Sequence, residues 1–185
     1  MSKVNELIGE VIDGVPQLSK EINGEKFYTI RVHFNEVDID VMMSEYLKKD
    51  VFKGKICVTG YLITFTRNQD KPYGALYANK ITQADFDADL TNEVCFSYKV
   101  TKIYDIKFNK QGIDILPIIC ADYTSLKTTS VIYLCLRGKL ARQLKDAEPG
   151  IRITGKGYLK QYRDIFEILV TELEDDSEEV DSDIE

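Results

Sequence analysis

Residues 54–68 read GKICVTGYLITFTRN, and residues 150–164 read GIRITGKGYLKQYRD. Each stretch opens on Gly, runs through alternating β-branched residues, and passes Gly-Tyr-Leu into a basic end bearing Tyr or Phe. Such alternation is the period of a half-buried strand. Gly60-Tyr61-Leu62 answers Gly157-Tyr158-Leu159, so the chain reads as one design used twice.

Around the first stretch the elements fall in a recognisable order. Val4–Val15, VNELIGEVIDGV, combines Gly with β-branched residues and predicts a bent strand. Asn23-Gly24 predicts a tight hairpin turn. Phe27–Phe34 alternates, with Tyr28, Ile30, Val32 and Phe34 on one face and Phe27, Thr29, Arg31 and His33 on the other. Val37–Met43 alternates again, with Ile39, Val41 and Met43 inward. Ser44–Lys49 reads as a short helix with Ser44 as N-cap, stopped by Gly54. Lys55–Arg67 is a long strand with Ile56, Val58 and Leu62 inward, Asn68–Gly74 a long loop, and Ala75–Thr82 the closing strand. Three strands, a short helix and two strands is the order of an OB-fold barrel.

The order then repeats. Gln83–Thr91 is polar and acidic, and Asn92-Glu93-Val94 restarts where Asn5-Glu6-Leu7 began. Glu93–Phe108 is an extended run, Lys110-Gln111-Gly112 a turn, and Ile113–Ala121 a strand in which Pro117 requires an edge or a bulge. Ser130–Arg137 is the third strand, Gly138–Lys145 the helix, and Pro149-Gly150 and Arg163-Asp164 the turns before the fourth and fifth strands. The expected fold is all-β with short helices. Two tandem five-stranded OB-fold barrels, residues 1–84 and 92–171, flank a linker at 85–91 and precede an acidic, disordered tail at 172–185.

Charge divides the chain unevenly. Nine acidic residues (Glu172, Glu174, Asp175, Asp176, Glu178, Glu179, Asp181, Asp183 and Glu185) and no basic one lie in the tail. The remaining residues hold 22 of the 31 acidic side chains and all 24 basic ones, a formal charge of +2 against −7 for the whole chain. A run of like charge with few apolar residues cannot offset its ordering entropy. The apolar runs fall far short of the roughly 20 residues of a membrane span, and MSKVNELIGE lacks a signal-peptide pattern, so a cytoplasmic protein without membrane contact is expected. Cys57, Cys95, Cys120 and Cys135 are widely spaced within apolar strands and His33 is the single histidine, which argues for buried free thiols and against a metal site. His33 has no nucleophile beside it, and Asp38 and Asp40 read as edge charges rather than a catalytic pair. No phosphate loop or nucleophile–base pair supports an enzyme, and no cofactor is implied.

At this point the residues resemble a family. Asn-Glu-x-x-Gly-x-Val, the alternating strand, and the Gly-Lys-x-x-Val strand after a short helix are similar to bacterial and phage single-stranded DNA-binding proteins. The nearest likeness is to the tandem OB-fold form of Gram-positive bacteria, their phages and mobile elements. Asn23-Gly24-Glu25-Lys26-Phe27-Tyr28, Ser44-Glu45-Tyr46-Leu47 and Gly138-Lys139-Leu140-Ala141-Arg142 match motifs of that form. Where the family's second repeat carries a base-stacking Trp, this chain has Arg137; where it carries Asn-Arg, this chain has Cys120-Ala121. The tail ends Asp183-Ile184-Glu185 rather than in a partner-docking Pro-Phe. The resemblance implies a role in DNA replication, recombination or repair, with replication or repair proteins as partners of the tail.

Binding single strands requires cations for phosphates and exposed flat side chains for bases. Parity places Phe27, Arg31, His33, Tyr61 and Phe65 outward on the first barrel, with Arg67, Lys71 and Tyr73 in the long loop. On the second, Arg137, Lys139 and Arg142 cluster after the third strand, and Lys156, Tyr158, Lys160, Tyr162 and Arg163 form a basic, aromatic hairpin. A guanidinium lies flat on a ring and can stand in for stacking. The competing reading is an OB-fold pair that has lost its ligand and serves as a replisome or phage adaptor. Two barrels can act alone or pair into a homodimer presenting four, and the sequence leaves both open.

Overall fold

The computed structural model describes residues 3–67, 71–123, 129–162 and 165–174. The first unit runs β1 (Asn5–Ile22), β2 (Glu25–Phe34), β3 (Val37–Ser44), a 3₁₀ turn (Glu45–Leu47), β4 (Lys55–Arg67) and β5 (Lys71–Gln83). The second runs β6 (Glu93–Ile103), β7 (Lys107–Phe108), β8 (Asp114–Tyr123), β9 (Thr129–Arg137), α1 (Lys139–Leu144), β10 (Arg152–Tyr162) and β11 (Ile165–Leu173). The first closes in the order β1-β2-β3-β5-β4; the second closes as β6-β10-β11-β9-β8, with β7 added at the β8 edge. Within each barrel the third and fifth strands run parallel and the other pairs antiparallel. These are two OB folds in tandem.

Alternation builds both interiors. Ile30, Val32, Phe34, Ile39, Val41, Met43, Ile56, Val58 and Leu62 fill the first barrel; Val94, Phe96, Tyr98, Ile118, Leu134, Leu159 and Ile168 fill the second. These residues belong to one hydrophobic cluster spanning both units.

The repeated Gly-Tyr-Leu has a common cause. The β4–β5 register shifts between Thr59 and Gly60, and the β10–β11 register between Lys156 and Gly157. A Cβ on Gly60 would lie 2.0 Å from the Tyr77 carbonyl oxygen, and one on Gly157 2.4 Å from that of Leu169. Glycine therefore lets the bulged fifth strand, with its extra residue Asn79 or Thr171, press close against the fourth, after which Leu62 and Leu159 enter the cores fully buried.

Several expectations are corrected. The first strand does not end near Val15 but continues to Ile22 with three register irregularities, and Phe52 N–H donates to the Gly14 carbonyl (2.9 Å) at the bend. Asn23 and Gly24 do form the turn, both at positive φ (52° and 81°). Ser44 is the last residue of β3 and makes no side-chain cap hydrogen bond, because only a three-residue 3₁₀ turn follows. The segment expected as a loop at 68–74 is mostly strand: β5 begins at Lys71, pairing Arg67↔Lys71 and Phe65↔Tyr73. The hairpins of the two barrels thus differ more in ladder length than in loop length. Pro117 sits in β8 opposite the break between β6 and β7, where its missing N–H interrupts no ladder, and its carbonyl accepts from Tyr104 N–H (3.1 Å). β11 runs through Glu172 to Leu173, and Glu174 pairs with Lys3 at 3.5 Å.

The barrels dock through reciprocal polar contacts. Asn5 Oδ1 accepts from Cys95 N–H (2.7 Å), and its amide donates back to the Cys95 carbonyl (3.2 Å). Ile8 N–H donates to Thr91 Oγ1, and Thr91 N–H to the Ile8 carbonyl, both at 2.9 Å. Thr64 N–H donates to Ser130 Oγ (3.1 Å) while Val131 N–H donates to Thr64 Oγ1 (2.6 Å). Asn92, the counterpart of Asn5, donates to the Asn35 carbonyl in the β2–β3 turn. Phe166 lies flat against Gly74, where any Cβ would overlap its ring. The extended β4–β5 hairpin therefore serves in part as a shelf for the second barrel.

Candidate nucleic-acid interface

On the first barrel, strands β2, β3, β5 and β4 lie side by side, and each places an apolar residue outward at the same level. Phe27, Met42, Tyr61, Ile63 and Ala75 form a second apolar cluster there, with Ile22 and Tyr77 packed against it. The expected exposure of Phe27 and Tyr61 is corrected: both face outward as parity required, but they are 1% and 6% exposed. Their cover is Tyr77, whose ring centroid lies 6.1 Å from Phe27 and 5.2 Å from Tyr61. Burial, followed by the charges of Tyr61 and Glu25, pushes the Tyr77 hydroxyl up. Among the described residues Tyr77, half-buried, is the ring this face leaves open, and the sequence reading did not single it out.

Arg31 and His33 on that face have acidic neighbours. Arg31 Nη1 donates to Asp40 Oδ1 at 2.8 Å, and His33 Nδ1 lies 2.6 Å from Asp38 Oδ1. Asp38 and Asp40 are thus cross-strand partners, in register with His33 and Arg31. Phe65, Arg67, Lys71 and Tyr73 occupy the outer end of the β4–β5 ladder, and their side chains lie outside the described residues.

The second barrel differs. Lys156, Tyr158 and Lys160 alternate outward along β10, and Tyr158 is 39% exposed. Lys160 reaches across the interdomain boundary to pair with Glu36, which holds the Glu36 carboxyl below its ordinary value. Arg137 is exposed at the end of β9, close enough for its charge to act on the Cys135 thiol. Lys139 is exposed on α1, while Arg142 pairs with Asp114 at 3.0 Å. The Tyr162 side chain and Arg163 lie outside the described residues. Arg137, Lys156, Tyr158 and Lys160 therefore share one outer face, with Lys139 and Arg142 near its edge on α1.

A second basic and aromatic arm was not picked out from the sequence. The β6–β8 hairpin carries Lys102, Tyr104, Lys107, Phe108 and Lys110. Phe108 is 71% exposed and Tyr104 38%, with Lys102 Nζ 4.5 Å from the centre of the Tyr104 ring. Asn109 Oδ1 accepts from Gln111 N–H (2.9 Å) and Ile113 N–H (2.8 Å), which fixes the tip. The alternation of Lys with Tyr and Phe in KVTKIYDIKFNK was the available signal. That alternation is also the pattern of an ordinary half-buried strand, which hides the arm in the sequence.

No protein-family model matches the sequence, and no curated protein matches it. Solved structures do match. The wild-type single-stranded DNA-binding protein from Thermus aquaticus superposes with a TM-score of 0.74 at 17% identity, covering 94% of this chain and 92% of that one. A deletion variant of the same protein gives 0.75 at 17% identity, covering 94% and 93%. At that identity the likeness establishes the fold, two OB barrels in tandem across nearly the whole chain.

Proposed function

We propose that the chain is a non-enzymatic protein that binds single-stranded DNA and acts in replication, recombination or repair. The observation that carries the reading is the outer face of β10, where an exposed Tyr158 stands between Lys156 and Lys160 on the face that also carries Arg137. An exposed ring offers a sequence-tolerant stacking platform of about 1–3 kcal/mol per base, and the flanking cations meet phosphates. The β6–β8 arm extends the same chemistry, and the tandem barrels resemble a protein that carries this activity in its name.

The acidic C-terminal segment fits a partner-docking role toward replication or repair proteins. Its charge also competes with DNA phosphates for the basic faces.

The test is a titration of the full chain with labelled oligo-dT at two salt concentrations. Expected is binding at low salt that weakens steeply as salt rises and falls in Tyr158→Ala. Absence of binding at low salt overturns the proposal and leaves the second reading, an OB-fold adaptor. That alternative draws on the ion pairs that already occupy Arg31, Arg142 and Lys160.

A further inference from the structure

The outer face of the second barrel carries one carboxylate among its cations. Glu167 lies on β11 between Phe166 and Ile168, which are 8% and 0% exposed and face the core, so its own side chain faces outward. It stands directly across from Lys160 on β10 and Tyr133 on β9. The next outward residue of β11, Leu169, stands across from Tyr158. Glu167 is therefore the diagonal neighbour of the exposed ring, a Cβ separation on the order of 7–8 Å.

No side-chain hydrogen bond or ion pair satisfies this carboxylate among the described residues. Lys160, the cation opposite, is held by Glu36 of the first barrel. Arg137 lies near enough for its charge to act on both Glu167 and Cys135, but it makes no ion pair with Glu167. Glu167 is half-buried, and burial pushes its carboxyl above the ordinary value. A partly desolvated, acceptor-only group beside a stacking platform needs a donor, and a repelling oxygen there is costly.

We propose that Glu167 is a base-selecting residue: its carboxylate accepts a hydrogen bond from the exocyclic amino group of a base stacked on Tyr158, and so favours cytosine over thymine. The inference rests on the single-stranded DNA reading above. Cytosine offers its N4 amino group as a donor to Glu or Asp, whereas thymine presents a carbonyl oxygen at the same place. In a single strand that edge is unpaired and available. Both pyrimidines stack with similar area, so the discrimination falls on the carboxylate.

The test measures binding of the full chain to labelled oligo-dC and oligo-dT of equal length at one low salt concentration. It compares wild type, Glu167→Gln, and Glu148→Gln, an exposed charge on the turn before β10. Intrinsic differences between the two oligonucleotides cancel when the dC:dT affinity ratio is compared between variants. Expected is a ratio about fivefold lower in Glu167→Gln than in wild type. In Glu148→Gln the ratio stays at the wild-type value, although both affinities rise slightly. The same ratio in wild type and Glu167→Gln, with both oligonucleotides bound, overturns the inference and leaves the DNA-binding reading standing. Failure of wild type to bind either one overturns that reading and this inference together.

Discussion

Tyr61 and Tyr158 each follow the bulge glycine in the fourth strand of their barrel, yet Tyr61 is 6% exposed and Tyr158 39% exposed. The difference lies in their cross-strand partners. Tyr61 faces Tyr77, a ring that covers it, whereas Tyr158 faces Leu169.

Substitution should therefore separate the pair. Tyr61→Ala removes a buried ring and is expected to cost about 3–5 kcal/mol of stability. Tyr158→Ala should leave the melting temperature within a few degrees of wild type and weaken single-strand binding about tenfold. Thermal melts and oligonucleotide titration on both variants check this; equal destabilisation would contradict the assignment.

The bulge glycines should tolerate nothing larger. Gly60→Ala and Gly157→Ala each drive a methyl group into a backbone carbonyl, at 2.0 and 2.4 Å. Relief requires the strands to part, and a loss of about 1–3 kcal/mol is expected for each. Urea denaturation reads the change in midpoint.

The interdomain contacts predict coupled unfolding. Asn5→Ala leaves Cys95 N–H without its acceptor, and Thr64→Ala does the same to Val131 N–H. Each should cost about 1–3 kcal/mol. Both should also reduce the cooperativity with which the barrels unfold, visible as a broadened or split calorimetric transition. A sharp single transition in the double variant would show that these two contacts do not couple the barrels.

Alkaline pH should destabilise the fold. Burial pushes the Cys120 thiol up to about 12 from an ordinary 9.0. As pH rises through the unfolded value, the unfolded chain releases this proton while the folded chain retains it, so stability falls between about pH 9 and 12. Cys57, Cys135, Tyr77 and Tyr98 are shifted in the same direction, mainly by burial, and add to the slope. Denaturation midpoints across this range should decline less steeply in Cys120→Ala than in wild type.

Removal of residues 175–185 should tighten single-strand binding at low salt and leave stability unchanged, since Glu174 and its ion pair to Lys3 remain. Equal affinity with and without the segment would refute competition by the tail.

How much of this was legible depends on range. The duplication, the strand order, the turn at Asn23-Gly24 and the inward residues follow from alternation and turn chemistry, which act over a few positions. Parity also assigned Phe27 and Tyr61 to the outer face correctly. Whether an outward ring is covered depends on strands far away in sequence: Met42 and Tyr77 bury Phe27 and Tyr61, while among the described residues Tyr158 has no aromatic cover. Likewise, Lys160 read as a cation free for phosphate until the fold brought Glu36 beside it across 124 positions. The amino-acid sequence by itself determined two OB barrels and which side of each strand every residue takes, because side-chain alternation is local. Only the tertiary structure decided which of those side chains meet solvent and which meet a partner, because burial and ion pairing are set by neighbours that the closed barrels and their docking bring together.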